Sequence, residues 1–257
     1  EDLLNKGLEK IKKDFNLALE RGVKMGDLFE GFTPQKRDNV LAKIKGTTRI
    51  EDFEDCDIVI EAITENLEMK KETFASLDKI CKSSTILASN TSSLSITAIA
   101  SATKRPDRCI GLHFFNPVPR MKLLEIVRPE VTSDDTYRVA KEFGEKLGKV
   151  VVTAKDTPGF IVNYVLVPFL LDAVRMVEQG LATKEDIDNA IKLGLNHPMG
   201  PLTLLDFVGL DTTLVIADAL FEEFKNERYA APPLLRRMVA AGWLGRKSGR
   251  GFYVYSK

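Results

Sequence analysis

Asp57-Ile58-Val59-Ile60-Glu61-Ala62, Thr85-Ile86-Leu87-Ala88-Ser89 and Arg108-Cys109-Ile110-Gly111-Leu112-His113 are three short apolar runs whose reading decides the fold. The first two are rich in β-branched residues, and all three are apolar without strict alternation, as strands buried on both faces of a parallel sheet are. Helix-like or loop-like sequence separates them. Polar residues gather where the runs end: Glu61 and Glu65, then Asn90-Thr91-Ser92-Ser93, then His113 with Asn116. Ligands of open α/β sheets bind outside the carboxyl ends of the strands. These three ends therefore read as one lip of an active-site cleft.

Around this centre, Leu67, Phe74, Leu77 and Ile80 mark a crossover helix, and Ser95 to Ala102 gives a shorter one. Lys122-Leu123-Leu124-Glu125-Ile126-Val127 reads as a strand. Thr132-Ser133-Asp134-Asp135 then caps a helix to Leu147, which Gly148 stops, and Val150-Val151-Val152 closes the sheet. Upstream, residues 1–30 read as a helix or helix pair, with Leu3, Leu4, Leu8, Ile11, Phe15 and Leu17 at near-helical intervals. Thr33-Pro34 starts a further helix that runs to the stop at Gly46.

The glycines at 7, 22, 26, 31 and 46 never form G-x-G-x-x-G. In a dinucleotide fold that fingerprint ends the first strand and opens a helix whose N-terminus holds the pyrophosphate. The expectation is a sheet without its first strand and glycine loop, and a native protein longer by about 25–35 residues that carry them. The first strand is central in such a sheet, so the chain without it is expected not to fold stably alone.

Thr157-Pro158-Gly159 marks the boundary between a domain at 1–156 and a helical domain at 157–257. Phe160 to Gln179 is apolar nearly all round, which implies burial between subunits or in a helical core, and Pro168 should kink it. Thr183-x-x-Asp186 opens the next helix and Gly194 ends it. Helices near 201–208, 211–225 and 232–241 follow, and Gly249-x-Gly-Phe-Tyr closes the chain in a tight turn and short strand.

Lys plus Arg and Asp plus Glu each number 37 in 257 residues. A balanced charge argues against a nucleic-acid-binding surface. Cys56, Cys81 and Cys109 are odd in number and lack C-x-x-C spacing, so they read as free thiols of a reducing compartment. No apolar run reaches the ~18 residues of a membrane span, and the start is charged rather than signal-like. An intracellular protein, of the mitochondrial matrix or the cytoplasm, is expected.

Ile60-Glu61-Ala62-Ile63-Thr64-Glu65-Asn66, Ser89-Asn90-Thr91-Ser92-Ser93-Leu94 and Gly111-Leu112-His113-Phe114-Phe115-Asn116-Pro117-Val118-Pro119 resemble successive motifs of the L-3-hydroxyacyl-CoA dehydrogenases. The likeness runs on through Lys155-Asp156-Thr157-Pro158-Gly159-Phe160 and His197-Pro198-Met199-Gly200-Pro201 to Gly249-Arg250-Gly251-Phe252-Tyr253. It implies an α/β protein, with a Rossmann-type domain at 1–156 followed by an all-α C-terminal domain for substrate and dimerisation. It implies NAD as cofactor, an acyl-CoA substrate from fatty-acid β-oxidation or short-chain metabolism, a homodimer and no metal.

His113 and His197 are the only histidines. A lone histidine at a strand end is more often structural, but Glu125 lies in the next predicted strand and is placed to hold one ring nitrogen, leaving the other to exchange a proton. The resemblance makes His113 and Glu125 the base pair that takes the proton of the 3-hydroxyl. It gives Ser92 and Asn163 the hydrogen bonds to the reacting oxygen. Their bland readings are a helix cap for Ser92 and a polar residue in an apolar helix for Asn163. It also gives Glu65, Lys70, Ser92, Asn116 and Lys247 to the cofactor. For Lys70 and Lys247 the bland reading is an exposed lysine; His197 is taken as structural. The alternatives are a non-catalytic relative without its dinucleotide loop, or another β-hydroxyacid dehydrogenase. Those relatives use a lysine base, against which the His–Glu match argues.

Overall fold

The computed structural model describes residues 1–20 and 33–255. The expected continuation of the first helix beyond Glu20, and the glycines at 22, 26 and 31, lie outside them. The chain divides into two compact units, Glu1–Thr91 with Ser95–Asp156, and Ser92–Leu94 with Thr157–Lys257.

The first unit is a five-stranded sheet with β1 (Ile58–Glu61), β2 (Ile86–Ser89), β3 (Cys109–Phe114), β4 (Leu123–Arg128) and β5 (Val150–Lys155) in sequence order across it. α1 (Asp2–Glu20) and α2 (Pro34–Leu41) precede it, α3 (Leu67–Ile80) links β1 to β2, and α4 (Ile96–Ala100) links β2 to β3. α5 (Asp134–Lys146) lies between β4 and β5. Parallel pairing joins β1 to β2, β2 to β3 and β4 to β5. The β3–β4 pair is antiparallel. A parallel return needs a crossover of a dozen or more residues, and the stretch between Phe114 and Leu123 is shorter than that.

All of β2 is buried. β1 is the outer strand, and its Ile60 is 37% exposed, so burial on both faces fails there. Side chains alternate across each strand. Ile86, Ala88, Ile110, Leu112, Leu124 and Ile126 pack with Ala140, Tyr137 and Phe143 of α5 on one face. On the other face a Cβ at Gly111 would lie 2.7 Å from the Val127 Cβ and 3.1 Å from the Ile96 Cδ1. Glycine there lets α4 lie close on β3. Phe74 of α3 is fully buried; truncating it to Ala would cost about 3–5 kcal/mol.

Thr33 caps α2, as Ser133 caps α5. α2 ends at Leu41, before Gly46. Gly46 instead admits the Leu4 and Leu8 side chains of α1, which a Cβ would meet at 2.9–3.0 Å.

The second unit holds α6 (Val162–Glu178), α7 (Lys184–Gly194), α8 (Pro201–Val208), α9 (Leu210–Phe224) and α10 (Pro233–Ala240). Val167, Leu170, Leu171 and Val174 of α6 form its core with Leu202, Leu205, Leu220 and Leu235. α6 runs through Pro168. The chain end is not the expected strand: Gly245, Arg250 and Val254 make isolated bridges only. The reason is a carboxylate. Buried Asp206 accepts from Phe252 N at 2.8 Å, Tyr253 N at 2.9 Å and the Tyr255 hydroxyl at 2.9 Å, taking the donors a partner strand would use. Among the described residues no helix is long and apolar enough to cross a membrane.

Candidate active site

His113 on β3 and Glu125 on β4 are register partners in the antiparallel pair. Directly opposed residues there project to the same face, and the imidazole Nδ1 lies 2.7 Å from Glu125 Oε2. Both are buried. With the carboxylate as acceptor, Nδ1 carries the ring proton. The Phe115 ring lies 4.5 Å from the imidazole, tilted by 54°. A buried imidazole held at Nδ1 by a carboxylate is the arrangement of a general base.

The ends of β1 and β2 carry a second buried polar network. Glu61 accepts from the Lys70 ammonium at 2.7 Å, from Ser89 Oγ at 2.7 Å and from Ile63 N at 2.6 Å. Lys70 also donates to Ile63 O at 3.2 Å and lies 3.3 Å from Glu65 Oε2. Thr91 Oγ1 donates to Glu65 Oε1 at 2.5 Å. The Lys70 side chain is 1% exposed and that of Glu65 26%. Lys70 is thus no surface lysine; Glu65 is the more open member of the pair. Glu61, expected on the lip, lies beneath it.

Asn116 is exposed on the loop after β3. Lys149 pins that loop by donating to Val118 O at 2.6 Å and Met121 O at 2.8 Å. Burial lowers the Lys149 pKa below the ordinary lysine value.

Ser92 and Asn163 meet within the second unit, where Asn163 Nδ2 donates to Ser92 O at 3.4 Å. Ser92 is not the cap of α4, and neither is Ser93. Ser95 caps it, accepting from Ala98 N at 3.2 Å. Asp156 completes the cap, accepting from Ser95 Oγ at 2.9 Å, Ile96 N at 2.8 Å and Thr97 N at 2.7 Å.

Lys247 is half-exposed and pairs with Asp211 at 2.6 Å. Burial pushes the Asp211 carboxyl up, but the Lys247 hydrogen bond and backbone amides outweigh it and leave the group below its ordinary value. Arg246 lies over the Phe207 and Tyr255 rings, and Arg250 over Trp243 at 3.7 Å. The basic turn of Arg246, Lys247 and Arg250 is held in place by these contacts. His197 sits against the edge of Phe169, with ring centroids 5.6 Å apart.

Sequence reasoning missed Asp156 and the role of Glu61 as a buried hub. A glutamate inside an apolar strand, with a lysine nine residues on, was the available signal for the latter. A cap supplied from about sixty residues away leaves no local signal.

The sequence profile described as 3-hydroxyacyl-CoA dehydrogenase, NAD binding domain, matches residues 1–157. The profile of the C-terminal domain of 3-hydroxyacyl-CoA dehydrogenase matches residues 159–255. A 3-hydroxybutyryl-CoA dehydrogenase of Mycobacterium tuberculosis is 51% identical over 257 residues, 99% of this chain and 87% of that protein. The human mitochondrial hydroxyacyl-coenzyme A dehydrogenase is 54% identical over 200 residues, 77% of this chain and 64% of that one. Among solved structures, (S)-3-hydroxybutyryl-CoA dehydrogenase from Ralstonia eutropha is similar with a TM-score of 0.92 at 44% identity, covering 100% of this chain and 88% of that one.

Proposed function

Because the chain belongs to the 3-hydroxyacyl-CoA dehydrogenase family, we propose that it oxidises an L-3-hydroxyacyl-CoA reversibly to the 3-ketoacyl-CoA with NAD. The observation that carries this is the buried His113–Glu125 pair at 2.7 Å. His113 takes the proton of the 3-hydroxyl, and Glu125 keeps the ring oriented and stabilises the imidazolium that forms. Ser92 and Asn163 serve as hydrogen-bond donors to the substrate oxygen as its charge develops. NAD, when bound, supplies the acceptor for the hydride that leaves C3.

What supports NAD at the strand ends is the donor and acceptor set there. The Glu65 carboxylate, 26% exposed, is an acceptor of the kind ribose hydroxyls use, with Lys70 paired to it and Asn116 exposed nearby in sequence to β3. We assign Glu65, Lys70, Ser92, Asn116 and Lys247 to the cofactor, residues 1–156 to its domain, and 157–257 to substrate binding and dimerisation. A buried imidazole base distinguishes this assignment from β-hydroxyacid dehydrogenases with a lysine base. The test is oxidation of NADH, followed at 340 nm, with acetoacetyl-CoA and the intact protein. Steady turnover is expected; none at saturating substrates would contradict the proposal.

The second unit leaves Ile161 and Val165, one turn apart, and Val215 exposed at 46%, 63% and 53%. These support a homodimer through the helices of 160–226. Sedimentation at micromolar concentration should give twice the protomer mass, and a monomer would contradict it.

A further inference from the structure

On the reading of His113 as the base made above, we propose that Asn90 is a positioning residue that holds the histidine in place for proton transfer by accepting the backbone N–H of Phe114. Asn90 follows the last residue of β2. Its own N–H donates to Glu61 O at 2.9 Å and so extends the β1–β2 pairing by one step. The β2–β3 pairing ends sooner, at Ser89 and Gly111, and β3 runs on three residues past it to Phe114. There the Asn90 side chain takes over from the backbone, and Phe114 N donates to Asn90 Oδ1 at 2.9 Å.

Phe114 links the two rings whose placement matters. His113 precedes it, with Nδ1 2.7 Å from Glu125, and Phe115 follows it, with its ring 4.5 Å from the imidazole. β4 holds this stretch from one side, through the pairs His113–Glu125 and Phe114–Leu124. Asn90 holds it from the other. A strand end tied on both sides resists twisting about its own axis. Tied to β4 alone, it pivots and carries the imidazole with it. Glu125 thus orients the ring, while Asn90 fixes the backbone from which the ring projects. The amide oxygen does this as a backbone carbonyl would, without adding a charge beside the base. A reacting group misplaced by about 1 Å costs on the order of 10²-fold in rate. A hydrogen bond one residue from the base therefore bears on turnover.

The experiment is Asn90→Leu in the intact protein, which keeps the size of the side chain and removes the acceptor. It reads kcat on acetoacetyl-CoA at saturating NADH, the NADH Kd by fluorescence titration, and fold by circular dichroism. The kcat should fall about 5–100-fold while Kd changes by less than about threefold. In a His113→Gln background the same change should move kcat by less than about twofold, because Asn90 acts through His113. Should Asn90→Leu fail to fold, Asn90→Ser withdraws the acceptor with less bulk and should lower kcat about 3–10-fold. A folded variant with kcat within about twofold of wild type would overturn the inference alone. So would a loss that falls on NADH binding instead, or equal losses with and without His113. Near-normal turnover in His113→Gln itself would overturn the assignment of the base and this inference with it.

Discussion

His113 and Glu125 are twelve residues apart in sequence, direct partners across an antiparallel strand pair, and joined by a 2.7 Å contact in a buried setting. The turn between β3 and β4 therefore has a chemical consequence. Reversing the chain after His113 brings a carboxylate back to the same face of the sheet, where a parallel crossover would have placed it elsewhere.

Glu125→Gln keeps an acceptor for the Nδ1 proton but removes the negative charge that stabilises the imidazolium. Turnover should fall about 10–100-fold, less than the ~10²–10⁴-fold cost of losing the base itself. NADH binding should stay within about twofold. Steady-state kinetics with acetoacetyl-CoA decide the point, and turnover within about twofold of wild type would remove Glu125 from the mechanism.

Asp156→Ala strips three hydrogen bonds from the start of α4. Ser95 remains as a partial cap, so the expected loss is about 1–3 kcal/mol in urea unfolding. A change below about 0.5 kcal/mol, the range of ordinary surface substitutions, would show that Ser95 suffices.

Tyr255 ties the chain end to Asp206, and burial, with that hydrogen bond, pushes its hydroxyl up to about 12. Tyr253 is raised as well, by burial and by Asp188. A raised folded value means the stabilisation is whole below the unfolded tyrosine value of about 10. It is lost as pH climbs from there toward 12. Urea midpoints at pH 8, 10 and 11 should therefore fall steeply above pH 10, and less so in Tyr255→Phe. Parallel curves for the two proteins would sink this.

Much of this molecule was legible because its signals are local. The apolar runs became β1, β2 and β3, and Ser133 and Thr183 cap the helices that follow them. His113 could be matched to Glu125 because one short connection separates two strands. What escaped depends on groups distant in sequence. The cap of α4 comes from Ser95 and Asp156, not from Ser92 or Ser93, since only the folded chain brings Asp156 to that helix. Asp206 displaced the expected terminal strand in the same way. Lys70 resembled a surface lysine on a helix until Glu61 gave it a buried partner. The direction of β4 was available in principle from the length of the preceding connection, whereas apolar composition carries no direction.

His113→Gln offers the most direct measurement: kcat with acetoacetyl-CoA at saturating NADH, alongside the NADH Kd of the same folded variant. General-base removal acts on the proton in the transition state, so kcat should fall about 10²–10⁴-fold while Kd changes by less than about threefold. Near-normal turnover in a folded His113→Gln protein would contradict the assignment of His113 as the base.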